Sequence, residues 1–395
     1  MIPAAEPPAL SDAALAVAAP KVWKVNFGKR TVGALSFEAA SQCWAFEYAP
    51  RWIKTGFSLA PVQLPLASRV YSCASHEQAL NAARAQPIVY AALRDIFDLP
   101  ALLPTGHSSA AWPNAIGLEC IEPAAKKVAA EAFDPVLSQA QALMFAASKA
   151  QGGAAQISVW VDEQSNFSFS ALCPGAGFTP WCLSVSGDAQ GGIDGCRTKY
   201  CYYLMAQAAG LTCVPTRLLE SSGLPSSALL VARHDFTQQA FQYFMPFKYL
   251  LGPTIEQARQ KSVITEYRHV LTIAAQWHCS RQQLLLLFRR MVFAALTRNG
   301  GSPLENLGFL VNEAGKVTLA PAFGFTPKRP PPAKADVLEC KDLLKVAAGF
   351  KCLQKQASQV IDEVVAVVEQ WPTFAKTGGL PHESMQRLQR AHRLF

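Results

Sequence analysis

Apolar and polar residues alternate from Val22 to Phe37, in the run VWKVNFGKRTVGALSF, with a break at Phe27-Gly28-Lys29-Arg30. A period of two around such a break predicts two strands joined as a hairpin. CWAFEYAPRW, starting at Cys43, predicts another strand that ends at Pro50, and GFSLAPVQLPLA, starting at Gly56, reads as an extended stretch punctuated by proline. Residues 22–75 therefore form a small β-rich module, and residues 88–120 show no clear period. Residues 124–148 read as helix, with Pro135 near a break.

A second pattern begins near Gly152-Gly153, where a turn feeds the strand AQISVWVD, and GFTPWCLSVSGD supplies another strand of the same sheet. RTKYCYYLMAQAAGL reads as an amphipathic helix ending at Gly210. VPTRLLES and SALLVARHDF add two strands, and beyond Phe247 the pattern is mostly helical. In SRQQLLLLFRRMVFAALTRN, Ser280 is placed to cap a heavily apolar helix, Leu284–Leu287 read as core, and Asn299 stands where a helix C-cap belongs. KVTLAPAFGF is a short strand, KRPPPAKA a link, and three helical segments follow. The expected order is a loose Ala- and Pro-rich tail over 1–21, a β-rich module over 22–120, a mixed α/β lobe over 121–250 and a helical lobe over 251–395.

Composition narrows the picture modestly. Of 395 residues, 50% are hydrophobic and 16% charged, which points to a large core and to a surface that a partner covers. The net charge of +8 is spread along the chain, so it tolerates nucleic acid or an acidic partner without demanding either. The 11 cysteines contain no C-x-x-C pair, which argues for buried free thiols in a reducing cytoplasm. No stretch approaches a membrane span, and the N-terminus lacks the basic and apolar regions of a signal peptide. The expectation is a soluble cytoplasmic protein.

Several segments in this order resemble the HipA family, toxin kinases of bacterial toxin–antitoxin modules. VWKVNFGKRTVGALSF, FEYAPRW and GFSLAPVQLPL resemble its N-terminal opening. YCYYLMAQAAGL, PTRLLESSG and ALLVARHDF resemble its lobe core, where members read Arg-Phe-Asp-Arg at Arg233–Phe236. FRRMVFAALTRN, NLGFL and GKVTLAPAFGFTP resemble the catalytic and metal-binding segments. The resemblance implies an α+β, protein-kinase-like two-lobed fold, with an N-terminal β-rich module and a mostly helical C-terminal lobe.

The chain departs from the family where the chemistry lies. Members carry Asn-x-Asp-Asp-His-x-x-Asn; here that segment runs from Asn299 to Asn306 with Gly301 at the base position and Pro303 at the histidine. Phe323-Gly324 stands where members have the Tyr-Asp whose carboxylate holds Mg²⁺. In the Gly-rich loop after Gly152 and Gly153 the expected lysine falls on Ile157, the strand lysine falls on Ser184, and the glutamate of the next helix falls on Lys199. Gly152, Gly153, Ile157, Ser184 and Asn306 are thus the vestiges of a nucleotide site. Phosphoryl transfer depends on positioning and on positive charge and Mg²⁺ beside the phosphates, and Mg²⁺ takes one or two carboxylates. Between Asp235 and Asp336 the chain has no Asp, and its glutamates there are Glu256, Glu266, Glu305 and Glu313.

The expectation is a degenerate, pseudokinase-like member without catalytic residues, metal or cofactor. The resemblance implies a partner, either a small helix-turn-helix antitoxin-like protein or an active family member, with DNA reached only through it. The competing reading is a divergent serine/threonine kinase using ATP and Mg²⁺ through Glu305 and Glu313. His234 and Asp235 read as a packing or hydrogen-bonding pair. His278-Cys279 is a poor candidate for a nucleophile pair, because sequence neighbours seldom form one.

Overall fold

The computed structural model describes residues 21–38, 43–74, 86–97, 116–120, 136–150, 155–170, 173–185, 194–220, 227–237, 240–251, 263–299, 302–325 and 338–395. The N-terminal tail, Gly152, Gly153, Glu256, Gly301 and the Pro-rich link lie outside them.

The opening alternation forms the expected hairpin, β1 (Lys21–Phe27) and β2 (Arg30–Glu38), and β3 (Cys43–Tyr48) pairs with β2. Gly28 turns the hairpin at φ +55°, a conformation that favours glycine. Every second residue of β3, Trp44, Phe46 and Tyr48, is buried, as the pleat requires. Pro50 does more than end the strand: it opens a short helix, α1 (Pro50–Thr55), which buries Trp52. β4 (Val70–Ala74) completes one edge.

The stretch without a clear period holds regular elements among its described residues, and residues 98–115 lie outside them. It holds α2 (Gln86–Phe97) and β5 (Ile116–Cys120), and β5 pairs antiparallel with β1, giving the sheet order β4-β3-β2-β1-β5. A five-residue edge strand whose partner lies about ninety positions earlier has too short a period to be read locally.

The second sheet, in the order β7-β6-β8-β10-β9, is built from α3 (Gln139–Ala150) and then β6 (Ala155–Val161), β7 (Phe167–Ser168), β8 (Thr179–Val185), α4 (Gly195–Ala208), β9 (Thr216–Leu219) and β10 (Ala228–Ala232). Leu143 and Ala146 of α3 cover one face with Val159, Val161, Leu183 and Val185. Asp194 caps α4, its side chain accepting from Arg197 N–H, and Gly210 follows the helix at φ +78°. After a small ribbon, β11 (Phe236–Thr237) and β12 (Ala240–Phe241), strand β13 (Tyr243–Pro246) pairs with β14 (Gly308–Val311), and β14 with β15 (Val317–Leu319).

The helical region holds α5 (Val263–Gln276), α6 (Arg281–Thr297), the single turn α7 (Pro303–Asn306), and α8 (Cys340–Ala348), α9 (Lys351–Gln354), α10 (Ala357–Glu369), α11 (Trp371–Thr377) and α12 (His382–Gln389). Ser280 caps α6 through a reciprocal capping box with Gln283. The C-cap is Arg298, in the left-handed region at φ 51°, one residue before the expected Asn299. Asn299 is buried, and its backbone N–H reaches Ala294 O. Leu284 and Leu287 are core; Leu285 and Leu286 are half-buried.

The first sheet is tied to the rest through β13. Tyr243 Oη donates to Leu59 O at 2.6 Å, and Tyr243, Met245, Tyr249 and Val311 belong to the core under β1–β4.

Candidate functional site

A cleft of about 510 Å³ opens between the second sheet and the helical region, lined by Gln156, Ser184, Lys199, Arg233, Asn306 and Gly324 among others. Each wall follows from the chain beneath it. On β8 the pleat turns Cys182 and Ser184 to the cleft and sends Leu183 and Val185 into the core under α3. On β6, Gln156 is opposite Ser184, and its amide donates to the Cys182 thiol.

The same alternation places Ile157, the residue marked as the lost Gly-rich-loop lysine, on the far face with Val159 and Val161. It does not line the cleft; Gln156 does. Ser184, Asn306 and Gly324 line the same cleft. Gly152, Gly153 and Gly301 lie outside the described residues.

The floor is held by one buried arginine. Arg290, on α6 and 5% exposed, donates to Phe323 O at 2.8 Å and to Asn306 O at 3.4 Å, and its guanidinium lies over Phe325. It therefore braces the end of α7 and the loop after β15. Nothing in the sequence marks Arg290 apart from its neighbour Arg289, which points outward to Glu363. Only the helical phase separates the two.

Gly324 is at φ +74° and its N–H donates to Tyr203 Oη at 3.1 Å. A Cβ at this position would lie 3.1 Å from the Asn306 amide. Asn306 and the position where the resemblance implies a metal-binding carboxylate are thus neighbours, but the latter is glycine in a backbone conformation that an L side chain resists. Pro303 starts α7 and is buried with Leu304, which uses it as a helix N1 residue.

His234 and Asp235 do not pair with each other. Arg233 grips Asp235 in a bidentate ion pair, with its Nε and a terminal nitrogen at 2.7 and 2.5 Å. His234 stacks on Phe323 at 3.8 Å and meets the edge of Phe244. Burial pushes its pKa down to about 4, and Nε2 has no hydrogen-bond partner among the described residues. Both residues sit in the turn between β10 and β11, and the turn sends His234 to the cleft and Asp235 to the neighbouring cavity.

The carboxylates offered as substitutes go elsewhere. Glu266 is buried and accepts from Ser302 Oγ at 2.9 Å. The Glu313 carbonyl accepts from Arg30, beside the β1–β2 turn. Glu305 lines a separate cavity of about 270 Å³ with Asp235, Gln242 and Lys248. No Asp or Glu lines the cleft among the described residues, and none of those residues form a cluster of metal-ligand type. His278 is exposed at φ 54°, and burial pushes the Cys279 thiol up, away from a reactive thiolate.

A sheet-bearing lobe, a helical lobe and a cleft between them define a two-lobed, kinase-like α+β fold. Residues 188–372 match the family model of the HipA-like C-terminal domain, so that part of the chain is similar to the C-terminal domain of HipA-like proteins. The fold is similar over most of its length to a solved structure of the Shewanella oneidensis MR-1 toxin–antitoxin system HipA, HipB and operator DNA complex. Identity is 12%, TM-score 0.56, and the match covers 93% of this chain and 96% of that one. A Helicobacter pylori proinflammatory kinase, CtkA, matches 54% of this chain and 85% of its own at 15% identity and TM-score 0.33, too partial a likeness to bear on the fold. No curated protein sequence matches the chain.

Proposed function

We propose that this chain is a HipA-like pseudokinase that acts by binding another protein. One observation carries the reading: the cleft has no carboxylate among its described residues, and the metal-binding position is Gly324, with its positive φ. Phosphoryl transfer relies on metal and electrostatic groups, and losing one well-placed group costs a factor of about 10²–10³ in rate. Loss of base, metal ligand and strand lysine together leaves no practical transfer, although such losses do not add. The competing reading, an active serine/threonine kinase with ATP and Mg²⁺, needs a carboxylate in the cleft. The positions of Glu266, Glu305 and Glu313 weigh against it.

The partner we propose is a small helix-turn-helix antitoxin-like protein or an active family member, with DNA met only through it. The similar Shewanella protein was solved together with HipB and operator DNA. No helix among the described residues is long and apolar enough to cross a membrane, and we place the chain in the cytoplasm, working without a cofactor.

Two measurements test this. Incubation with labelled ATP and Mg²⁺ or Mn²⁺, with and without glutamyl-tRNA synthetase (the substrate type the resemblance implies), gives no label transfer. Transfer that disappears in Glu305→Gln would establish the kinase instead. Affinity purification from the native host followed by gel filtration gives a stoichiometric complex with a small basic DNA-binding protein or a second HipA-family chain. A lone monomer that binds specific DNA tightly by itself would place the function on the wrong surface.

A further inference from the structure

The cleft has not simply lost its charge. In the family order a lysine stands at Ser184 and a glutamate at Lys199; here the strand contributes a hydroxyl and the helix a cation, and both line the same cleft. The positive group now enters from α4, with no Asp or Glu among the described residues of the lining to oppose it. The second cation of the wall, Arg233, is held by Asp235, and Asp235 lines the other cavity. Neutral hydrogen-bonding groups complete the surface: the amides of Gln156 and Asn306 and the hydroxyl of Ser184.

We propose that this cleft is a metal-independent site for a small organic anion carrying one phosphate or carboxylate group. The proposal rests on the pseudokinase reading and adds a ligand class to it. A divalent ion needs hard oxygen ligands, usually carboxylates, and the described residues of the lining offer only amide and hydroxyl oxygens, so the anion itself must meet the lysine. A single ammonium is matched to one anionic group. A triphosphate brings several charges that only a metal would otherwise offset, which disfavours ATP here. At about 510 Å³ the space lies within the usual range for small-molecule pockets, and the amides can orient the ligand without titrating.

The probes are inorganic phosphate and acetate, each followed by calorimetry in EDTA with the full chain. At least one binds with a Kd of about 1 mM or tighter, and added Mg²⁺ does not improve it. Lys199→Gln weakens binding about tenfold or more. Ser184→Asp, which sets a carboxylate against the lysine, does the same, and thermal unfolding checks that each variant is folded. No binding of either probe at about 10 mM, binding that requires Mg²⁺, or affinity unchanged in both variants overturns the proposal. None of those results restores phosphoryl transfer, whereas label transfer from ATP would overturn the pseudokinase reading by itself.

Discussion

Helix α6 and the cleft it underlies are made by neighbouring residues, yet they have kept different things. The helix carries a reciprocal cap at Ser280 and a continuous buried face from Leu284 to Leu296, and it sends Arg290 inward to hold the Asn306 and Phe323 carbonyls. The cleft keeps its shape and its Asn306, but glycine, serine and proline stand at Gly324, Ser184 and Pro303. A scaffold is specified by many residues acting together, so it withstands single changes. Catalytic chemistry is carried by a few side chains, each of which can be lost without disturbing the core. The largest expected difference between the two regions is in stability. Phe293→Ala, in a fully buried position against Phe325, lowers it by about 3–5 kcal/mol. Pro303→Ala at the rim costs much less, about 1 kcal/mol. Chemical denaturation of the two variants checks the pair; equal losses would mean that the rim is as much a part of the scaffold as the helix.

The next effect comes from acid. His234, in the cleft wall, and His392, packed between Tyr202 and Trp371, are both buried, and burial lowers each pKa to about 4 from the ordinary 6.5. The unfolded chain therefore binds more protons than the folded one between those values. Stability is full above about 6.5 and falls as pH drops toward 4, by about 1.4 kcal/mol per unit for each group at most. Comparing pH 7 with pH 5, the intact protein loses roughly 2–4 kcal/mol from these two groups. Denaturation curves of His234→Phe and His392→Phe separate the cleft from the helical lobe. A pH slope unchanged in both variants would refute the assignment.

Smaller again is the effect of restoring a carboxylate. Gly324→Asp must hold an L residue at φ +74° with its Cβ 3.1 Å from the Asn306 amide, a strain of about 1–3 kcal/mol. The variant melts lower and still transfers no phosphate, because Ser184 supplies no lysine. A variant as stable as the parent would show that the loop rearranges freely, and that the cleft is closer to an active form than its geometry indicates.

Much of this fold was legible from alternation, caps and glycines. The β1–β2 hairpin, the Ser280 cap and the turn at Gly210 are local signals that depend on residues close in sequence. The placement of β5 beside β1 was not legible, since it pairs residues far apart in the chain. The site was legible wherever a motif could be laid on the chain residue by residue, so Ser184, Asn306 and Gly324 meet in the cleft. It failed where facing had to be known: His234 and Asp235 turn opposite ways, and Arg290 is separated from Arg289 only by helical phase.

The assignment of Ile157 failed for the same reason, and it yields the finest test. In a strand a shift of one residue moves a side chain to the other face. Counting through Gly152 and Gly153 put the lost lysine at position 157, whereas β6 turns Gln156 to the cleft and Ile157 to the core beneath α3. Lysine at the two neighbouring positions therefore has opposite consequences. Ile157→Lys brings an ammonium against Val159 and Leu183 and loses apolar contact, lowering stability by about 1–2 kcal/mol without strengthening anion binding. Gln156→Lys leaves stability within about 0.5 kcal/mol, adds a second free cation beside Lys199 and tightens phosphate binding severalfold. Thermal unfolding reads the first difference and calorimetry with inorganic phosphate the second. If Ile157→Lys is the variant that gains affinity, the register of β6 in the cleft is wrong by one residue, and the vestigial lysine belongs where simple counting put it.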